Sequence, residues 1–279
     1  MIRRIAFLLF VALFVAATLA APAGAGSTGE EVVTIPTRDG VTVPFILLGP
    51  RTGDAPAVIL FTGGRGMLDL AEWDGKGDPI RNFLVRSRKL FAGHGFLVAV
   101  PDAPSDLIGA YDGLLGFRLV EEHAQDIRTV IRYLRRFTQG PVFLVGTSRG
   151  SISAVGVAAK ARAGEFGGIV LTSSVTRLNK RGDRDHVFMA RLENIRAPVL
   201  IASHREDACY ATPFEDSPRL KRALTGSPSV EIKGFRGGGG YRGWECGPHH
   251  AHGFRGIEAQ VVGDIAAWIK RQVASAPKP

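Results

Sequence analysis

The 279-residue sequence contains only two cysteines, Cys209 and Cys246. That excludes a four-cysteine zinc site and a disulfide-dense mini-fold. Glycine is frequent, at 35 residues, but it keeps no fixed period, so a collagen-like chain is excluded. No unit of roughly 20–50 residues recurs, which excludes a solenoid. Beyond the first 25 residues no apolar run reaches membrane length. Basic residues outnumber acidic ones, 35 against 26, but no aromatic-interleaved basic motif accompanies the +9 charge. Nucleic-acid binding is therefore a poor reading of that charge. What is present is an ordinary globular composition, 45% hydrophobic and 22% charged. It is enough to bury a sizeable core in one large domain or two small ones.

The N-terminus has its own logic. Arg3 and Arg4 precede an apolar run from Ile5 to Ala21, and small residues follow through Gly26. This pattern predicts a secretory signal peptide over residues 1–25, with Ala23-Gly24-Ala25 as the cleavage site. Thr18-Leu19-Ala20 is a weaker second site. The competing reading is an uncleaved anchor, but the run is at the short edge of the about 20 residues a span needs. No cysteine lies near the cleavage site, so a lipoprotein is excluded, and the motif flanking a twin-arginine signal is missing. The mature domain, 26–279, is expected in the periplasm or outside the cell. Residues 1–25 carry two arginines and no acid, so cleavage takes +9 to +7.

Along the rest of the chain, short β-rich runs alternate with helical patterns. Val32–Pro36 and Val41–Leu48 read as two strands around the turn Arg38-Asp39-Gly40. Apolar strands are expected at Ala57–Thr62, Phe96–Val100, Val142–Val145, Gly168–Thr172, Pro198–Ala202 and Ser229–Lys233. Helices are expected over Asn82–Ala92, Phe117–Phe137, Ile152–Ala163 and Ile257–Val273. Uninterrupted apolar strands separated by helices imply a parallel sheet covered on both faces, with the first two strands as an antiparallel edge. Val175–Arg196 is too short for a large cap domain.

The sharpest motif is Gly146-Thr147-Ser148-Arg149-Gly150, a G-x-S-x-G directly after a buried strand and opening a helix. A turn this sharp lifts Ser148 above the carboxyl edge of the sheet as a nucleophile, and the helix N-terminus adds positive potential. Ser148 needs a base. His252 lies between the last strand and the closing helix, on a loop at the same sheet edge, with His249 and His250 as neighbouring competitors. The tract His249-His250-Ala251-His252 also matches a metal-binding run, but no carboxylate stands at ligand spacing, so no metal is expected. The orienting acid is expected after strand 198–202: Asp207, with Glu206 as the alternative. For the oxyanion, Arg149 offers one backbone N–H, and Gly63-Gly64-Arg65-Gly66 offers a second from Gly64 or Arg65.

With these residues in the order Ser148, Asp207, His252, the chain resembles an α/β-hydrolase fold serine hydrolase, in the compact branch similar to dienelactone hydrolases. The resemblance rests on Gly63–Gly66, Pro101–Pro104, Gly146–Gly150, His204–Cys209 and His252–Glu258, and spans roughly residues 55 to 272. It implies an eight-stranded, mostly parallel sheet with helices on both faces, no large cap domain and no cofactor. It implies hydrolysis of a small-molecule carboxylic ester through an acyl-enzyme. A peptidase or amidase on the same triad, or a non-catalytic binding protein on this fold, are the alternatives. Two positions depart from the family pattern. Thr62 replaces the histidine that opens the oxyanion loop of esterases, and Ser148 stands where dienelactone hydrolases have cysteine, so their substrate is not carried over.

In an exported protein with only two cysteines, pairing is the default, so Cys209–Cys246 is expected to tie the acid loop to the histidine loop. Arg65 and Arg149 flank the nucleophile, either to attract an anionic group or only to pair with acids and solvent. Arg132, Arg135 and Arg136 read as a solvated helix face. Asp102 and Asp106 follow a strand at the active edge, either lining a pocket or capping a helix. Tyr111, Phe117, Phe188, Met189, Tyr241 and Trp244 are candidate pocket or rim residues.

Overall fold

The computed structural model describes residues 29–178 and 185–275. The expected signal peptide lies outside the described residues. The elements in chain order are β1 (Glu31–Arg38), β2 (Val41–Leu48), β3 (Ala57–Phe61), α1 (Phe83–Gly93), β4 (Leu97–Pro101), α2 (Glu121–Leu134), β5 (Val142–Thr147), α3 (Gly150–Ala158), β6 (Gly168–Thr172), β7 (Val199–His204), α4 (Ser217–Ala223), β8 (Val230–Phe235) and α5 (Glu258–Ser275).

The eight strands form one sheet in the order β1-β2-β4-β3-β5-β6-β7-β8. β1 pairs with β2 and β2 with β4 antiparallel, and all later pairings are parallel. The inner strands are buried along their full length, which is why they read as unbroken apolar runs. Their side chains alternate between two cores. Ala57, Ile59 and Phe61 of β3 join Ala124, Ile127 and Val130 of α2 and Val155 of α3 on one face. Val58 and Leu60 join Phe83 and Leu84 of α1 and Val261, Ile265 and Trp268 of α5 on the other.

Three elements differ from the sequence reading. The helix expected over 117–137 begins only at Glu121, because Gly113 and Gly116 at positive φ carry the chain through turns and Arg118 points inward. Ile152–Ala163 is shorter and starts at Gly150, immediately after the Ser148 turn. α4 was not anticipated, since its seven residues give too few turns for a periodic signal.

The chain leaves β3 toward β4 on one side of the sheet and returns to β5 on the other. The carboxyl ends of β3 and β5 therefore frame a crevice, the place where open α/β sheets bind ligands. The loops 62–66 and 147–150 both emerge there.

Candidate active site

Ser148 sits between β5 and α3 with φ 52°, a left-handed conformation that costs a non-glycine residue about 1–3 kcal/mol. The surroundings hold it there. Its N–H donates to Thr172 O of β6 at 3.0 Å, and its carbonyl accepts from Ser151 N at 2.9 Å and Ser151 Oγ at 2.6 Å. The flanking glycines are a steric requirement. A Cβ on Gly146 would lie 2.3 Å from Gly150 O, and one on Gly150 would lie 2.1 Å from Phe61 O. α3 and the end of β3 thus approach so closely that only hydrogen fits between them.

His252 stands in a short 3-10 turn, Ala251–Gly253, before α5. Its Nδ1 is 3.0 Å from Asp207 Oδ2, and both residues are buried. Asp207 is fixed on both oxygens: Oδ1 accepts from Cys209 N at 3.0 Å and Oδ2 from Thr212 Oγ1 at 2.8 Å. The Thr212 hydroxyl also lies 3.0 Å from His252 Nδ1. The His252 carbonyl accepts from Ser173 Oγ at 2.8 Å, so the residue that follows β6 helps set the turn. With Nδ1–H directed at the carboxylate, Nε2 is the ring nitrogen left for chemistry.

The other candidates lie apart from this pair. Glu206 is exposed and its Oε1 accepts from Arg236 Nη1 at 3.1 Å. His250 stacks on Tyr241 with ring centroids 5.3 Å apart, and its Nε2 faces Gly243 O at 3.1 Å. His249 is half-buried, and burial together with Arg242 and Arg255 lowers its pKa.

Ser148 and His252 share the wall of a pocket of about 280 Å³, with Gly64, Ile80, Phe83 and Pro248 among its other walls. A second, smaller space of about 110 Å³ also borders Ser148, against Arg149, Val175, Ala211 and the Cys209–Cys246 pair. Gly64, Ser148, Trp244 and Cys246 border both. Of the two expected oxyanion donors on the glycine loop, Gly64 lies on the pocket walls, with φ +61°, whereas the Arg65 side chain turns away to Tyr111 O at 3.2 Å.

Two buried groups shape this loop: Arg118, which the sequence did not single out, and Asp102, which it did. Arg118 donates to Ser153 Oγ at 2.6 Å and to the carbonyls of Thr62 and Gly64 at 3.2 and 3.3 Å. Burial, reinforced by Arg149, lowers its pKa to about 9, with Asp185 acting in the opposite sense. Asp102 neither lines the pocket nor caps a helix. It accepts from the N–H groups of Leu68, Leu70 and Ala103 at 2.6, 3.0 and 2.7 Å, and so folds the chain that follows the loop. Burial raises its pKa against the pull of those donors. Asp106 pairs with Arg38 on the surface. Arg149 is half-buried, and that burial lowers its pKa against the pull of Asp185. Of the three arginines on α2 and just beyond it, Arg135 is half-buried rather than fully solvated and donates to Gly140 O.

Cys209 and Cys246 form a disulfide, with S–S 1.93 Å and Cα atoms 4.6 Å apart. It joins the loop that carries Asp207 to the loop that carries His252. Donor atoms of Asp207, Cys209 and His252 lie within 4.8 Å of one another. They do not suit a metal: the Cys209 sulfur is committed to the disulfide, and His252 Nδ1 is turned to Asp207 and Thr212.

No protein-family model and no curated protein matches the chain. Solved structures do match it in shape. A cold-adapted esterase from an Arctic intertidal metagenomic library superposes with TM-score 0.59 at 15% identity, covering 88% of this chain and 94% of that one. A sugar hydrolase from Lactococcus lactis gives 0.58 at 19%, covering 88% and 99%. An acylaminoacyl peptidase from Pyrococcus horikoshii gives 0.59 at 13%, covering 90% of this chain and 42% of that one. At such identities the likeness speaks for architecture, and with the eight-stranded sheet and its switch point it establishes that the chain has the α/β-hydrolase fold.

Proposed function

We propose that this protein is an exported serine hydrolase that cleaves carboxylic esters, with Ser148 as nucleophile, His252 as general base and acid, and Asp207 as the orienting carboxylate. One observation carries the reading. A serine held at φ 52° in a strand-to-helix turn shares a pocket with a histidine whose Nδ1 is 3.0 Å from a buried, doubly fixed aspartate.

In the reaction, His252 Nε2 takes the Ser148 proton as Oγ attacks the ester carbonyl. Asp207 steadies the resulting imidazolium. The oxyanion is bound by the Arg149 N–H and by a second N–H from Gly64 or Arg65, each worth roughly 3–4 kcal/mol in comparable enzymes. His252 then protonates the alcohol oxygen, the C–O bond breaks, and an acyl-Ser148 remains. Water, deprotonated by His252, attacks the acyl carbon; the bond to Ser148 Oγ breaks, His252 returns the proton to that oxygen, and the acid leaves. No cofactor enters these steps.

Export follows from the signal-peptide pattern of residues 1–25, and an oxidising compartment suits the Cys209–Cys246 pairing in domain 26–279. The match to an acylaminoacyl peptidase keeps amide cleavage as a second reading on the same residues. The test is active-site labelling by a fluorophosphonate alongside a panel of chromogenic esters and anilides. Wild type is expected to label and to hydrolyse esters, and Ser148→Ala to lose both. Esterase activity that survives in Ser148→Ala would overturn the mechanism, and anilides cleaved faster than esters would favour the peptidase.

A further inference from the structure

The two spaces beside Ser148 are unequal, and the proposed chemistry tells them apart. A tetrahedral intermediate on Ser148 carries three other groups: the oxyanion, the leaving oxygen and the acyl carbon. The oxyanion faces the backbone donors at Arg149 and the glycine loop. The leaving oxygen must receive its proton from His252 and so faces the space that His252 lines, the one of about 280 Å³. The acyl carbon points away from His252, into the space of about 110 Å³ that His252 does not line and that Val175 and Ala211 border beyond Arg149 and Gly64.

We propose, resting on the hydrolase reading above, that the smaller space is the acyl site and the larger one the alcohol site, so that the substrates are esters of short-chain acids with a bulkier alcohol. An apolar cavity of about 150 Å³ accommodates a benzene molecule, so 110 Å³ suits an acetyl- to butyryl-sized group. Its walls are braced against expansion. Val175 N donates to Ser151 Oγ at 3.2 Å, and Val175 O accepts from Val187 N at 2.9 Å. Ala211 O accepts from Thr176 N at 2.9 Å, which joins the two apolar walls to each other, and the disulfide closes the third side. The larger space, of about 280 Å³, is bordered by loop residues such as Ile80, Arg81 and Pro248 and has the room for the longer group.

The experiment compares two isomeric esters, hexyl acetate and methyl heptanoate, which hold the same atoms and differ only in which side of the carbonyl is long. The ratio of kcat/KM values is expected to favour hexyl acetate by about tenfold or more, the discrimination a hydrophobic pocket exerts per excess methylene. Val175→Ala is expected to lower that ratio by enlarging the acyl site, and Ala211→Val to raise it by filling the site. The opposite directions guard against a variant that merely misfolds. A ratio at or below one, or a smaller preference that neither substitution moves, overturns the assignment while leaving fluorophosphonate labelling intact. If neither ester is cleaved and Ser148 does not label, the hydrolase reading itself falls, and the site assignment with it.

Discussion

The chain around Ser148 and the chain around His252 meet at one pocket but are held by different means. From Val142 to Ala158 every residue except Ser148 and Arg149 is buried, and the turn is fixed by backbone hydrogen bonds and by contacts too close for any side chain. From Arg236 to Glu245 the chain is mostly exposed and includes four consecutive glycines, Gly237–Gly240. Its order comes from scattered ties: two backbone hydrogen bonds, Gly239 N to Arg255 O and Arg242 N to His249 O, both 3.2 Å, with His204 Nε2 to Gly237 O at 2.9 Å, Tyr241 Oη to the same carbonyl at 3.0 Å, Ser173 Oγ to His252 O, and the disulfide. Backbone packing can fix the proposed nucleophile because its neighbours are strands. The proposed base, carried on a long surface loop, needs side-chain and covalent anchors in addition to a few backbone bonds.

Removing the covalent anchor should have the largest effect on this contrast. For the 37-residue separation, loop-closure entropy sets a ceiling of about 4 kcal/mol on the stabilisation by the disulfide. The Cys209→Ala, Cys246→Ala double variant is expected to approach that loss in urea unfolding and to expose the 236–245 segment to trypsin, with cleavage after Arg236 and Arg242. Equal proteolysis of oxidised wild type would mean that the disulfide does not organise this loop. On the other side of the pocket, Gly150→Ala drives a Cβ into the Phe61 carbonyl and is expected to cost about 3 kcal/mol or more, the upper end of overpacking penalties. It should slow fluorophosphonate labelling without creating a tryptic site near residue 240. A variant with wild-type stability would show that α3 can shift away from β3. The smallest effect is expected from Thr212→Val, which keeps shape but removes the hydroxyl shared by Asp207 and His252. A hydrogen bond to a carboxylate is worth about 1.5–3 kcal/mol, so kcat should fall about tenfold or more, with KM little changed. The acidic limb of the pH–rate profile should move, and Thr212→Ser should restore both. A fall in stability with an unmoved profile would reduce Thr212 to a packing role.

The sheet was legible in the sequence because its inner strands are apolar without interruption, and Val41–Leu48 and Gly168–Thr172 end where the composition says they should. The Ser148 turn was legible because its two glycines and its strand are adjacent in the chain. The positions of Asp207 and His252 could be read only as places on loops at the same edge. Which of Asp207 and Glu206 faces His252 depends on how β7 and the 236–257 loop approach in space, and adjacent residues on one loop do not encode that. Thr212 and Arg118 were not legible at all. A threonine five residues beyond the acid, and an arginine inside an apparently amphipathic helix, look like solvated side chains until the fold turns them inward. Arg135 misled for the same reason: a helix-end arginine has a carbonyl within reach that periodicity does not reveal.

The disulfide also changes what a cut in the chain would mean. Cys209 and Cys246 close a covalent ring that contains all of α4, the edge strand β8 and the glycine run. Exposed glycine-rich segments are where proteases nick folded domains. A nick between Gly237 and Gly240 would leave Asp207 on one fragment and His252 on the other, yet the two would remain one molecule, joined beside the pocket. Such a clipped form would run as a single species on a non-reducing gel and as two on a reducing one, and the fold would carry its own splint across the break.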